Sequence, residues 1–162
     1  MNKQGIMDVG NLRASIERAK NYHTQLVMVI GESASQLLTQ AASTDDLPIL
    51  NLSLELSERL IDIPRQNRAK TASSVFAKLI DQPQAQVLLL DHLEILFDRS
   101  LSIDPLKLLK HNAKNTTLVI AWPGEKSASS LIYAIPSHPE YRSYKASEFG
   151  ETIVIEANEK NI

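Results

Sequence analysis

The run Val87-Leu88-Leu89-Leu90 constrains the fold of this chain more than any other stretch of its sequence. Four consecutive large aliphatic residues without polar alternation are typical of a parallel β-strand that helices cover on both faces. A strand over residues 86–91 would place Asp91 at the carboxyl edge of a parallel sheet, where open α/β sheets bind their ligands. The same carboxylate could instead cap a following helix, so the residues alone leave both interpretations open.

The rest of the chain alternates between helical and strand patterns. Apolar residues at three- and four-residue spacing predict amphipathic helices, and short apolar runs that stop at glycine or proline predict strands. The predicted helices span 8–22, 65–80 and 92–97, and others begin after Ser33 or Ser35, at Ser53 and at Asp104-Pro105. The predicted strands span 26–30, 48–52, 86–91, 116–122, 131–135 and 152–155. This order predicts an α/β fold with a mainly parallel sheet and right-handed crossovers.

Composition limits the classes of function. A chain of 162 residues with 43% hydrophobic residues fits a single domain over 1–162, with a polar tail at 156–162. The formal charge of −2 gives no global basic field, so nucleic acid is expected to bind only weakly or indirectly. Cysteine is absent from the sequence, which excludes disulfides, thiolate zinc sites and thiol catalysis. No apolar leader or membrane-spanning run is apparent, and we expect a cytoplasmic protein with no membrane association.

Gly31 opens a segment that can be compared with a P-loop. The motif G-x-x-x-x-G-K-[ST] needs glycines so that backbone amides can wrap phosphates, a lysine for the β- and γ-phosphates, and a hydroxyl for magnesium. Over residues 31–38 only the first glycine is present, because Gln36, Leu37 and Leu38 replace the second glycine, the lysine and the hydroxyl. Glu32 would also repel a polyphosphate. We therefore predict at most a degenerate nucleotide site, formed by Gly31, Ser33, Ser35, Asp91 and Glu94.

Asp91 is the candidate magnesium ligand, since P-loop proteins place an acid with this role at the end of a buried strand. His92 follows directly and could act as a base near neutral pH, although a hydrogen-bonded residue at a helix start is the commoner role. Glu94 could reach the same crevice or point at solvent.

Lys107, Lys110 and Lys114 recur at three- and four-residue spacing and predict a basic stripe on one helix face. The stripe could contact nucleic acid phosphates. A solvated face that complements the dipole at the end of the helix is the simpler interpretation.

Aromatic residues mark two of the predicted loops at the crevice rim. Trp122 precedes Pro123-Gly124, and Tyr141 lies in the segment after the predicted strand 131–135. Trp and Tyr are common anchors of protein interfaces. We expect Trp122 or Tyr141 to be partly exposed, and both are candidates for contact with a partner, because no cluster of catalytic residues is evident.

Five separated segments carry a family resemblance. They are NLSLELSERL (51–60), LLDHLEILF (89–97), DPL (104–106), AWPGE (121–125) and YAIPSHPEY (133–141). Together they resemble BrxF, the small P-loop-containing component of type 3 BREX bacteriophage-defence systems, over residues 8–145. Their order and spacing are more specific than any single motif.

The resemblance implies a P-loop NTPase-like three-layer sandwich in an accessory role beside the large ATPase, methyltransferase and alkaline-phosphatase-like components. It matches Asp91 to the magnesium-binding acid, Glu94 to the acid that follows it, and Gly31 to the first P-loop glycine.

Three functions follow as expectations. The first is a binding module without nucleotide turnover that contacts other BREX components, above all the large BREX ATPase. The second is an ATPase whose ATP and magnesium bind in a site that a partner completes. The third is a DNA-contacting adaptor that uses the lysine stripe. A homo-oligomer is also compatible with the sequence.

Overall fold

A five-stranded parallel sheet organises residues 9–157, the part of the chain that the computed structural model describes. Its strands are β1 (Leu26–Ile30), β2 (Ile49–Asn51), β3 (Val87–Asp91), β4 (Thr117–Ala121) and β8 (Ile153–Glu156). Their order across the sheet is β2-β3-β4-β1-β8, and every pairing is parallel. The strand that ends in Asp91 is therefore internal, but the middle strand is β4.

Helices cover both faces of this sheet. One face is covered by α1 (Val9–Ala19) and α2 (Ala34–Asp45), and the other by α3 (Leu52–Leu60), α4 (Arg65–Asp81) and α5 (Pro105–His111). Side chains alternate between the faces of a strand, so Val27 and Val29 pack with α1 and α2 while Met28 and Ile30 pack on the opposite side. The predicted α/β three-layer sandwich with a mainly parallel sheet is confirmed, and its P-loop NTPase-like character stays a prediction.

A second, antiparallel sheet follows β4. It contains β5 (Glu125–Ser127), β6 (Ser130–Tyr133) and β7 (Arg142–Lys145) in that order, and the short helix α6 (Ala146–Phe149) follows it. The strand predicted at 131–135 is β6, which ends at Tyr133 because Ala134 adopts a positive φ of 66°. The sequence predicts neither β5 nor β7. The strand β5 is polar and fully exposed, so it has no apolar pattern.

An aromatic cluster joins the two sheets. The ring of Phe97 stacks on that of Tyr133 at 3.9 Å between centroids and meets Trp122 edge to face at 5.6 Å. Trp122 in turn meets Tyr144 edge to face at 6.1 Å. The hydroxyl of Tyr144 donates to Asp104 Oδ1 at 2.8 Å, so this cluster also fixes the start of α5.

Several local predictions are wrong for identifiable reasons. The cap of α3 is Asn51, whose Oδ1 accepts from the Leu54 N–H at 3.1 Å, so this helix begins one residue before the predicted Ser53. Residues 92–97 form a shorter 3-10 helix, Glu94–Phe97, because His92 adopts a left-handed backbone with φ 58°. Ala69 lies three residues before the buried Ala72 on α4, a spacing that predicts an inward position, but it is exposed.

The predicted boundaries at the two ends also change. Helix α1 ends at Ala19, so residues 20–22 lie outside it, and residue 8 falls outside the described range. The polar tail does not begin at 156, because Glu156 belongs to β8 and Ala157 is 1% exposed. Residues 158–162 of that predicted tail lie beyond the described residues. Within 9–157 no helix is both long and apolar enough to cross a membrane.

We expect Gly124→Ala to destabilise the protein by about 1–3 kcal/mol, the usual cost of forcing an extra methyl group into a packed site. A Cβ at this position would collide with the carbonyl oxygen of Ile132 and crowd Trp122 Nε1, which donates to that same oxygen. Urea unfolding followed by circular dichroism measures the change. Gly150→Ala is the control for backbone strain alone, because its Cβ would meet no atom and its backbone at φ 52° and ψ −122° would cost about 1–3 kcal/mol. Near-UV circular dichroism of Trp122 should change in Gly124→Ala and not in Gly150→Ala, and an unchanged signal in Gly124→Ala would contradict this account.

Candidate functional site

The candidate site lies at the carboxyl ends of β1 and β3, where Gly31 and Asp91 follow their strands. Asp91 is 8% exposed, so its carboxylate needs hydrogen-bond partners. Its Oδ1 accepts from Ser35 Oγ at 2.7 Å and from the His92 N–H at 2.9 Å. Its Oδ2 lies 3.6 Å from His92 Nε2. The carboxylate thus ties the end of β3 to the first turn of α2.

The hydrogen bond to Ser35 fixes how this segment aligns with a P-loop. In P-loop proteins the Ser or Thr of the motif and the acid at the strand end hold the same magnesium ion, so the two side chains are neighbours. Ser35 and Asp91 have that relationship. On this comparison Ser35 matches the hydroxyl position, Ala34 the lysine position and Ser33 the second glycine, a frame that differs from the ungapped comparison of residues 31–38.

The loop between β1 and α2 is too short to enclose phosphates. The motif has six residues from its first to its second glycine, whereas residues 31–33 alone connect the strand to the helix. The Ser33 N–H donates to the carbonyl oxygen of Ala157 at 2.9 Å, and the Ala157 N–H donates to that of Ile30 at 2.7 Å. A backbone donor at the helix start is thus already satisfied by the chain that follows β8.

Neither predicted cap acts as one. Ser33 occupies the position before α2, but its side chain makes no capping hydrogen bond. Ser35 lies inside the helix and uses its hydroxyl on Asp91.

The first turns of α2 pack against the sheet. Ala34, Leu37 and Leu38 are between 0% and 3% exposed and belong to the core between α2 and the sheet. Leu37 and Leu38 are therefore core residues. No side chain from this part of α2 can supply the positive charge that a polyphosphate needs.

The crevice beside the loop is acidic. It is an open cavity of about 490 Å³, and its lining includes Glu32, Glu125 and Glu156 but a single cation, Lys126. Lys126 Nζ lies 3.6 Å from Glu156 Oε2, so part of its charge is already balanced. The three carboxylates repel the negative charge of a polyphosphate. The described residues that line the crevice therefore do not fit a nucleotide.

His92 has a structural role at this edge of the sheet. Its carbonyl oxygen accepts from both the N–H and the hydroxyl of Ser53, at 2.9 and 2.7 Å, and Ser53 Oγ accepts from the Ile95 N–H. Together with the bond from His92 N–H to Asp91, these contacts hold the histidine in its left-handed backbone. Ser53, predicted as a helix cap, instead connects α3 to the segment after β3.

Glu94, itself a described residue, forms no hydrogen bond with Asp91 or Ser35. It is exposed at the first position of the 3-10 helix, and its negative charge acts on Tyr133. Burial, followed by the charges of Glu140 and Glu94, raises the pKa of Tyr133 above its usual value. Within residues 9–157, no group of three or more His, Asp or Glu side chains is arranged to hold a metal ion.

The two aromatic residues expected to contact a partner differ in exposure. Trp122 is 3% exposed and packs against Phe97 and Tyr144, so of the two residues only Tyr141 is partly exposed. The position of Trp122 directly after a buried strand explains its burial. Tyr141 is half-buried in the segment between β6 and β7, where it borders a second open cavity of about 510 Å³.

The lysine stripe is interrupted. Helix α5 ends at His111, so Lys114 lies beyond it, and the spacing does not continue on one helix face. Lys110 Nζ donates to the carbonyl oxygen of Glu148 at 2.8 Å, and Lys114 Nζ donates to Thr24 Oγ1 at 3.3 Å. Two of the three lysines therefore link parts of the fold, and Lys107 is exposed.

Comparison with known proteins gives a weak structural similarity. No family model and no curated protein matches the chain. The solved structure of C. elegans PCH-2 is similar to 92% of this chain at 12% sequence identity, with a TM-score of 0.44. The chain spans 41% of the length of that protein.

We expect the Ser35–Asp91 contact to contribute to stability. In a double-mutant cycle, Ser35→Ala and Asp91→Ala should show a coupling energy of about 1–2 kcal/mol, as expected for a hydrogen bond to a charged group. Denaturant unfolding of the four proteins measures it. Ser57→Ala is the matched control, because Ser57 hydrogen-bonds within its own helix and should combine additively with Asp91→Ala. If Ser35 and Asp91 were additive as well, the contact would have no energetic role.

Proposed function

We propose that this chain is a P-loop-like binding subunit of a type 3 BREX anti-phage system, without nucleotide turnover of its own. It acts by contact with other components of that system, above all the large BREX ATPase. The proposal has two supports: the sequence resemblance to BrxF over residues 8–145, and a fold whose nucleotide position has lost its chemistry.

The observation that favours binding over turnover is the packing at the start of α2. Ala34 replaces the P-loop lysine and is buried, and Leu37 and Leu38 fill the core behind it. The three-residue loop and the acidic crevice also disfavour nucleotide binding. A protein of this fold without a phosphate site retains surfaces for other macromolecules.

The segment between β6 and β7 is the best described candidate for the partner surface. Residues 134–141 contain Ile135, whose side chain is 65% exposed. Hydrogen bonds hold the segment in shape: the His138 N–H donates to Ile135 O, the Tyr141 N–H donates to His138 O, and Arg99 donates to Pro139 O at 2.8 Å. A loop that is already ordered loses little conformational entropy when it binds.

We expect Ile135→Asp and Tyr141→Ala each to weaken copurification with the large BREX ATPase by about tenfold or more, since an exposed apolar anchor is lost from a preorganised loop. Ile61→Asp is the matched control, because Ile61 is similarly exposed, at 70%, but lies on α3. Pull-down with tagged protein, followed by binding measurements on the purified pair, gives the result. If all variants copurified with the ATPase as well as the wild type does, the loop would not be part of the interface. If the wild-type chain formed no complex, the proposed partner would be refuted.

A partner-completed ATPase is the second candidate, and one observation favours it. Ser35 and Asp91 keep the hydroxyl-to-carboxylate contact that P-loop proteins use around magnesium. A partner would have to provide the cation and the phosphate-binding donors that this chain lacks. A DNA-contacting adaptor has less support, because Lys110 and Lys114 are engaged within the fold.

We expect no measurable ATP binding or hydrolysis by the purified chain with magnesium present. Loss of one charge-assisted phosphate contact alone costs about 1.5–3 kcal/mol, which is roughly tenfold or more in affinity. Calorimetry and a phosphate-release assay, each with and without the large ATPase, separate the two candidates. Binding to the chain alone would overturn the first candidate. Turnover that needs both proteins and disappears with Asp91→Asn in this chain would establish the second.

A further inference from the structure

One residue, His138, takes part in three of the hydrogen bonds that shape the segment 134–141. Its N–H donates to Ile135 O at 2.8 Å, and its carbonyl oxygen accepts from the Tyr141 N–H at 3.1 Å. The third bond involves the side chain, because the Glu140 N–H donates to His138 Nδ1 at 3.0 Å. Two prolines in the segment have no N–H, so it has few other backbone donors. The shape of the segment therefore depends on this histidine.

The bond to Nδ1 fixes the protonation of the imidazole. A backbone N–H is always a donor, so Nδ1 can accept from the Glu140 N–H only when that ring nitrogen carries no proton. The ring is then neutral, with its proton on Nε2. Protonation of Nδ1 would place two N–H groups against each other and break the contact. The bond is thus present in one charge state of His138 and absent in the other.

Charged groups of both signs surround the segment. They are the acids Glu94, Asp98, Asp104 and Glu140 and the bases Arg99 and Arg142. Two phenols complete the set: Tyr141, and Tyr133, whose pKa is raised by burial and then by the charges of Glu140 and Glu94. Histidine ordinarily changes its charge between about pH 5 and 8, whereas carboxylates, arginine and tyrosine ordinarily do not. A change of pH in this range therefore acts on the segment through its histidine.

We infer that His138 is a positioning residue for the partner surface: its neutral imidazole holds residues 134–141 in their binding shape, and protonation releases them. This inference rests on the proposed role of that segment in contact with the large BREX ATPase. Ile135 and Tyr141, the two proposed anchors, are each hydrogen-bonded to the backbone of His138, so a change at this residue reaches both. A loop that loses its order must regain it on binding, which weakens the complex.

Amide hydrogen exchange of the purified full-length chain, measured by NMR, tests the role of the histidine without any partner. We expect the protection factor of the Glu140 N–H, corrected for the intrinsic pH dependence of exchange, to fall about three- to tenfold between about pH 8 and pH 5. His138→Asn should keep this protection at every pH, because Asn Oδ1 can accept from the same N–H in an Asx-turn and does not titrate. His138→Ala should lack it at every pH.

The matched control is His111→Asn, which replaces an exposed histidine at the end of α5 and should keep the pH dependence of the wild type. A wild-type protection factor that does not change with pH would overturn the inference. An equal change with pH in His138→Asn would overturn it as well, because another group would then be responsible.

Affinity for the large BREX ATPase tests the consequence for binding. Wild type and His138→Asn are compared at the same pH, so that any effect of pH on the ATPase cancels in their ratio. We expect the two to bind equally near about pH 8, and the wild type to bind about three- to tenfold more weakly near about pH 5. Equal binding at both pH values would overturn the link to the partner surface. If the wild type formed no complex, the proposed function would fail, and the exchange measurement would still decide the role of His138.

Discussion

The hydrogen bond from Ser35 to Asp91 is the interaction on which the carboxyl edge of the sheet depends. A carboxylate that is nearly buried must be satisfied within the fold, or it costs several kcal/mol. Asp91 meets this requirement by holding α2 and the backbone after β3 at once. The His92 carbonyl oxygen then receives both donors of Ser53, so α3 is aligned with the same point. One buried charge thereby links α2, the backbone after β3 and the start of α3.

This arrangement shares part of its layout with a phosphate site but not its chemistry. The hydroxyl and the acid are adjacent, and their contact serves packing and charge satisfaction. A bound phosphate needs a longer loop, a cation and electropositive surroundings, whereas this chain has a tight connection, buried aliphatic residues and carboxylates at those places.

The sequence predicted those parts of the fold whose signals are local. The strand β3 and the helix α4 followed from a continuous apolar run and from regular spacing, and Asp91 was placed correctly at a strand end. The strands β5 and β7 have no such pattern, because one is wholly exposed and the other has a single buried residue, Tyr144. The frame of the P-loop comparison that matches Ser35 to the hydroxyl needed the contact between Ser35 and Asp91. That contact crosses the fold and leaves no trace in local spacing.

The bond between the Ser33 N–H and Ala157 has a consequence for synthesis on the ribosome. The strand β1 needs β4 on one side and β8 on the other, and both strands follow it by most of the length of the described chain. During translation the β1–α2 unit must wait with an unpaired strand edge and an unsatisfied loop until β8 emerges. Long-range parallel pairing of this kind is slow and exposes edges that can aggregate. The nascent chain is consequently a good substrate for chaperones that bind extended apolar segments.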